Sequence, residues 1–159
     1  MDELLELLQK NGRETDEQLA ALLGRPAAEV RARREQLEKD GVICGYQAVV
    51  NEDRLDPDRV TAIIEVKVTP EREGGFNHIA LRISRFPEVR SAFLVSGQAD
   101  LLLFIEGTNL KEVARFVSEK LSTIPGVTAT ATSFKLKTYK HHGLLMETQD
   151  EYERLKISP

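Results

Sequence analysis

Residues 15–41 read TDEQLAALLGRPAAEVRARREQLEKDG, two helical runs separated by a turn. Thr15, with Gln18 three residues on, is a capping-box pair: hydroxyl and amide each satisfy an N–H group that a helix start leaves without a partner. The helix it opens turns Leu19, Leu22 and Leu23 inward. Gly24-Arg25-Pro26 is the turn, with Pro26 suited to the first position of a helix that runs to Asp40 and is closed by Gly41. Upstream, Leu4, Leu5, Leu7 and Leu8 line one face of an opening helix that Asn11-Gly12 stops. Downstream, Val42 to Val50 alternates around Gly45, as a small strand pair does. Three short helices, the second and third joined by a tight turn, and then a hairpin make a winged helix-turn-helix pattern over residues 1–50.

Asn51 to Arg59 is polar, contains Pro57 and reads as a linker. Beyond it the period changes. Val60 to Thr69, Val89 to Ser96, Leu101 to Glu106 and Val127 to Tyr139 read as strands, while Phe76 to Arg85 and Leu110 to Thr123 read as helices. The order is βαββαβ over residues 60–140. Phe86-Pro87-Glu88-Val89 and Ile124-Pro125-Gly126-Val127 each end a helix and start a strand, so the two βαβ halves echo one another. Tandem halves of this kind make a ferredoxin-like split fold. The fold class is therefore α+β, with an acidic extension over residues 141–159 that is either a packed element or a loose end.

The chain has 159 residues, enough for one medium domain or two small ones, and 41% hydrophobic residues suffice for a core. The longest apolar run, Leu101 to Ile105, is too short to span a bilayer. Met1-Asp2-Glu3 is acidic where a secretory signal is basic, so a cytoplasmic location is expected. A single cysteine, Cys44, excludes an internal disulfide and any multi-cysteine zinc site, and it reads as a small apolar filler. His141 and His142 are adjacent, so on a strand they point to opposite faces and make a poor chelate. With no phosphate loop, dinucleotide fingerprint or nucleophile elbow, no cofactor, metal or catalytic group is expected.

A formal net charge of −4 argues against nucleic acid if taken whole. By segment it is uneven: −3 over residues 1–50, +1 over 51–140 and −2 over 141–159. Gly24 to Lys39 is the exception in the first segment, with five basic and three acidic residues. Val30, Arg34 and Leu37 form its packing stripe, so Ala28, Arg31, Ala32 and Glu35 face outward with Arg25 and Arg33 beside them. Small alanines allow close approach to thymine methyls, and arginines hold phosphates or guanine edges. Arg25, Pro26, Ala28, Arg31, Ala32 and Arg33 are thus candidate DNA contacts; a solvated charged face is the alternative. In the second domain, Ser96-Gly97-Gln98-Ala99-Asp100 joins the two central strands. Gly97 lets backbone approach a ligand and Asp100 suits an ammonium group, although Gly and Asp are also ordinary turn residues. Thr128, Thr130 and Thr132 share one strand face, as ligand groups or simply as good strand formers.

These residues resemble the Lrp/AsnC (feast/famine) transcription regulators. The matching stretches are LLELLQKNGR (4–13), LEKDGVICGY (37–46), VSGQAD (95–100) and IPGV (124–127), and the resemblance covers about residues 3–140. It implies a second domain of the RAM type, which pairs its sheets into homodimers and gathers them into tetramers or octamers. It implies double-stranded DNA as partner, and an amino-acid effector bound between subunits at Gly97, Ala99, Asp100, Thr130 and Thr132. The carboxy-terminal ERLKISP resembles an extension of some bacterial members. Members usually carry Ile or Val where this chain has Arg34, which must therefore snorkel or find a partner. They also commonly have a Ser or Thr cap where this recognition helix begins Arg25-Pro26-Ala27. A siroheme-decarboxylase-like enzyme of similar build, or a ligand-binding module whose DNA head has degenerated, are the rival readings.

Overall fold

The computed structural model describes residues 2–56, 58–70 and 75–147; Pro57 and the terminal ERLKISP lie outside them. The chain divides into two compact units, residues 1–50 and 51–159.

In the first unit, α1 (Glu3–Lys10), α2 (Asp16–Leu23) and α3 (Ala27–Lys39) enclose a core of Leu4, Leu8, Leu19, Ala20, Val30 and Leu37. The capping box at Thr15 and Gln18 is present. Leu22 departs from expectation: it is 62% exposed, because Ala20 and Leu23 take the inward positions beside Leu19. Pro26 is the residue preceding α3, not its first member, and offers no side-chain cap. Gly24, with φ +64°, ends α2 in the left-handed region that glycine tolerates. At the end of α3, Gly41 donates to the Glu38 carbonyl and Val42 to the Leu37 carbonyl, a Schellman closure.

The expected hairpin over Val42 to Val50 does not form strands. The first two amides, of Val42 and Ile43, both donate to the Leu37 carbonyl and are consumed by the cap. An isolated two-stranded ribbon with no covering layer has little to hold it. Cys44 is likewise exposed, its Sγ 3.2 Å from the Gly41 carbonyl, so it fills no core.

The second unit opens with α4 (Glu52–Leu55), inside the stretch read as linker, and continues with β1 (Val60–Val68), α5 (Asn77–Ser84), β2 (Val89–Leu94), β3 (Leu101–Gly107), α6 (Leu110–Arg115) and β4 (Val127–Phe134). The sheet is antiparallel with order β2-β3-β1-β4, the ferredoxin-like arrangement. Alternation does the sorting. Ala62, Ile64, Val66 and Val68 of β1 and Leu101, Leu103 and Ile105 of β3 face the helices, where Ile79, Ile83, Val113, Phe116 and Leu121 meet them. Beyond α6 the helix widens to a π-helical turn over Phe116–Leu121, with the Ser122 amide donating to the Val117 carbonyl. The two echo junctions share one turn bond: Val89 donates to the Phe86 carbonyl and Val127 to the Ile124 carbonyl.

The last strand stops at Phe134, short of Tyr139. Past it, Lys135 Nζ pairs with Glu52, and the Thr138 amide is taken by the Asp53 carboxylate, so these groups serve α4 and not a ladder. Part of the extension is packed: β5 (Lys140–His141) and β6 (Leu144–Leu145) form a hairpin, and the Met146 carbonyl accepts from Asn51 Nδ2. His142, at φ +45°, sits in the turn, which brings the two imidazoles 4.2 Å apart between centroids instead of sending them to opposite faces. Among the described residues no helix is long and apolar enough to cross a membrane.

Candidate nucleic-acid interface and ligand loop

On α3, Val30 and Leu37 are buried and Arg34 is half-buried, which leaves Ala28, Arg31, Ala32, Arg33 and Glu35 exposed as the helical period requires. What the period does not reveal is that each arginine has an acidic partner. Arg25 lies 3.7 Å from Glu3 and 3.9 Å from Glu29, and Arg33 is 2.9 Å from Asp2. Arg31 reaches Asp16 at 3.0 Å and Glu17 at 3.4 Å. Arg34 grips Asp16 with two N–H groups at 2.8 and 3.0 Å and Glu38 with a third at 2.8 Å. It is paired, which answers the question its place on the packing stripe raised. Exposed pairs of this kind contribute about 0–1 kcal/mol each, so Arg25, Arg31 and Arg33 can exchange a carboxylate for a phosphate at small cost.

Hydrogen bonds from Arg34 and then Arg31 hold the Asp16 carboxyl at about 2, against partial desolvation. The unfolded chain binds that proton near the ordinary 3.8, so between the two values the unfolded state carries more protons. The stability from Asp16 is therefore present above about pH 4 and is lost as the pH falls through about 2. Acid unfolding followed by circular dichroism should show this limb in the parent and a flatter one in Asp16→Asn.

The candidate ligand loop, residues 96–100, lies at one end of the second unit's sheet. The Val95 amide donates to the Asp100 carbonyl, the Asp100 amide to the Val66 carbonyl, and Asp100 Oδ2 accepts from the Val68 amide at 2.9 Å. One carboxylate oxygen thus has a structural task, holding the end of β1 where its register with β4 shifts. Ala99 is buried and Gly97 is exposed with φ +150°. Val66 pairs with Leu101 on one side and Thr130 on the other, which puts the loop and Thr130 about 10 Å apart across two strand spacings. Thr130 is half-buried and Thr132 exposed; opposite Val66 and Ile64, both share the helix-side face of an edge strand. Thr128 falls in the bulge and donates to the Lys67 carbonyl. Asp100→Ala should destabilise the second unit by about 1–2 kcal/mol, since the half-buried Val68 amide loses its acceptor. Asp100→Asn, which keeps an acceptor oxygen, should recover most of that loss in a thermal melt.

Two sequence profiles match this chain. Residues 61–145 match the Lrp/AsnC ligand binding domain, and residues 3–43 match a winged helix-turn-helix DNA-binding domain. The chain belongs to the Lrp/AsnC family. Its relatives include YugG, an HTH-type transcriptional regulator of Bacillus subtilis strain 168, 46% identical over 158 residues that span 99% of this chain and 95% of YugG. The leucine-responsive regulatory protein of Rhizobium meliloti strain 1021 is 34% identical over 137 residues, 86% of this chain and 87% of its own. Among solved structures, the transcriptional regulator NMB0573 of Neisseria meningitidis, determined as a complex with L-Met, superposes with a TM-score of 0.67 at 29% identity, covering 87% of this chain and 88% of that one. This Lrp/AsnC protein is thus a DNA-binding regulator with a ligand-binding domain. Both named relatives carry the names of regulators.

Sequence reading missed Asp16, Glu38 and Tyr46 as parts of the bonded network around the α3 arginines. Asp16 lies beside the capping box and Tyr46 in the LEKDGVICGY stretch, but their partners are set by tertiary packing.

Proposed function

We propose that the exposed face of α3 enters the major groove, with Arg25, Pro26, Ala28, Arg31, Ala32 and Arg33 at the DNA. The observation that carries this reading is the stripe of small and basic side chains, Ala28, Arg31 and Ala32, left open on the helix of a DNA-binding domain. The degenerate-head reading rested on Arg34 and the acidic balance, and the pairing of Arg34 with Asp16 and Glu38 removes the first support. An amino-acid effector bound between subunits, at Gly97, Ala99, Asp100, Thr130 and Thr132, would alter intersubunit contacts and so the spacing of DNA-binding heads. The L-Met complex of NMB0573 supports that class of ligand. The subunits would pair through the sheet face opposite the helices, where Ile63, Leu102 and Phe104 are half-buried and Phe93 is 52% exposed, and such cytoplasmic homodimers would gather into tetramers or octamers.

Gel shift and footprinting on the protein's own upstream DNA test the first part. Specific protection that fades steeply with salt is expected, and Arg31→Ala should reduce the salt slope by roughly one phosphate contact's worth. No specific protection at low salt, with or without amino acids, would overturn it. For the effector, a thermal-shift screen of amino acids beginning with L-methionine should find a ligand that adds about 2.7 kcal/mol at a hundred times its Kd. A screen in which no amino acid shifts the melt would count against that class.

A further inference from the structure

The ion pairs of the first unit are joined end to end. Asp16 Oδ2 accepts from Arg31 Nε at 3.0 Å and also from Arg34 Nη2 at 3.0 Å. Glu38 Oε1 accepts from Arg34 Nη1 at 2.8 Å and also from the Tyr46 hydroxyl at 2.8 Å. Two acceptor oxygens are each shared by two donors, and Arg34 stands between them. Its side chain is 24% exposed and that of Asp16 12%, so solvent screens these middle links far less than it screens a surface pair. Arg31, at 53%, is the loose end. Tyr46, 48% exposed, is the other end, and its ring lies against the turn after α1: a Cβ added to Gly12 would be 3.4 Å from it.

We propose that Arg31, Asp16, Arg34, Glu38 and Tyr46 form one polar relay, through which engagement of Arg31 by DNA is felt at Tyr46 on the segment that follows α3. The inference rests on the reading of Arg31 as a DNA contact. Donors that share one oxygen compete for it, so removal of either strengthens the bond of the other. When a phosphate takes Arg31, Asp16 is left to Arg34 and draws it closer. The hold of Arg34 on Glu38 then loosens, and Glu38 turns its full charge to the Tyr46 hydroxyl. Alternating charge makes each step the opposite of the one before. The consequence is a firmer pin between the Tyr46 segment and the α1–α2 turn when DNA is bound. By reciprocity, the state of Tyr46 must change the affinity for DNA. Asp16, Arg34, Glu38 and Tyr46 are therefore positioning residues for Arg31.

A double-mutant cycle on the full chain tests the relay, with the shortest footprinted duplex as probe and fluorescence anisotropy as readout. Arg31→Ala should weaken binding about tenfold. Tyr46→Phe should weaken it about threefold although its hydroxyl is off the exposed stripe of α3, and the double variant should be no weaker than Arg31→Ala to within about twofold. Glu38→Gln, which keeps shape and acceptor oxygen but removes the charge that restrains Arg34, should strengthen binding about threefold, a gain absent from the Arg31→Ala background, with circular-dichroism melts showing that the helices persist. If the Arg31 and Tyr46 effects multiply, or Tyr46→Phe and Glu38→Gln leave affinity unchanged, the relay is wrong while Arg31 remains a contact. If Arg31→Ala itself has no effect, both the relay and the reading of Arg31 fall.

Discussion

Replacing Arg34 with isoleucine is expected to destabilise the first unit by about 2 kcal/mol and to weaken DNA binding, although isoleucine is the residue the packing stripe itself calls for. The opposing terms can be weighed. Arg34 supplies three charge-assisted hydrogen bonds, two to Asp16 and one to Glu38. Each is worth about 1.5–3 kcal/mol at best, discounted here because the site is only partly closed to solvent. Isoleucine would return about 1–1.5 kcal/mol by covering Val30 and Leu37 with apolar surface. It would also leave the Asp16 carboxylate, 12% exposed, with Arg31 as its remaining cation. An under-compensated half-buried charge settles the sign. Lysine at this position keeps the charge but not the planar fork, so Arg34→Lys should fall between the two. Hydrogen exchange of the α2 and α3 amides reads the effect locally, and anisotropy reads it on DNA. Greater protection in Arg34→Ile would mean that the network is ornamental and that the family's usual residue is better here too.

This contrast shows which parts of the molecule could be read from its residues. Features fixed by neighbours three or four positions apart were legible: the Thr15 capping box, the Gly41 closure, the strand and helix order of the second unit, and the outward face of α3. Features that depend on distant partners were not. The arginines of α3 look like a free basic patch in sequence, yet Arg31 meets Asp16 fifteen residues away and Arg33 meets Asp2 thirty-one away. Asp100 looks like an open ligand group, yet one of its oxygens holds the Val68 amide thirty-two residues away. The missing hairpin is a third case: Val42 to Val50 has the alternation of a strand pair, but its first amides go to Leu37 and no layer covers it. Periodicity names a face and says nothing about what already occupies it.

The acidic balance of the first unit follows from the same bonds. Asp2, Glu3, Asp16, Glu17, Glu29 and Glu38 are the counter-charges that α3 carries when no DNA is present. A net charge of −4 is then no argument against a nucleic-acid partner. If the α3 arginines meet phosphates as proposed, binding must exchange internal carboxylates for them.

Gly126→Ala is expected to cost the second unit about 3 kcal/mol, more than its single methyl group suggests. Gly126 holds φ at +93°, outside the range that an alanine adopts without strain. A Cβ there would also lie 2.6 Å from Ile79 Cδ1. Ile79 is 1% exposed and belongs to the core beneath the sheet, so it has no free space into which to retreat. The backbone is pinned as well, since the Gly126 carbonyl accepts from the Thr69 amide at 2.8 Å. The residue that occupies the matching place in the first junction is Glu88, which is not among the positive-φ residues, so the shared turn bond alone does not demand glycine. The positive φ and the close approach to Ile79 do. Gly97→Ala is the control: its φ is +150° but nothing lies within 4 Å of the added carbon, so it should cost about 1 kcal/mol from strain alone. In thermal melts, equal losses for the two variants would show that backbone strain governs Gly126 and that the core yields to an intruding methyl. A larger loss for Gly126→Ala, reversed in part by Ile79→Val, would show that contact with the core fixes where β4 begins and so the register of Thr130.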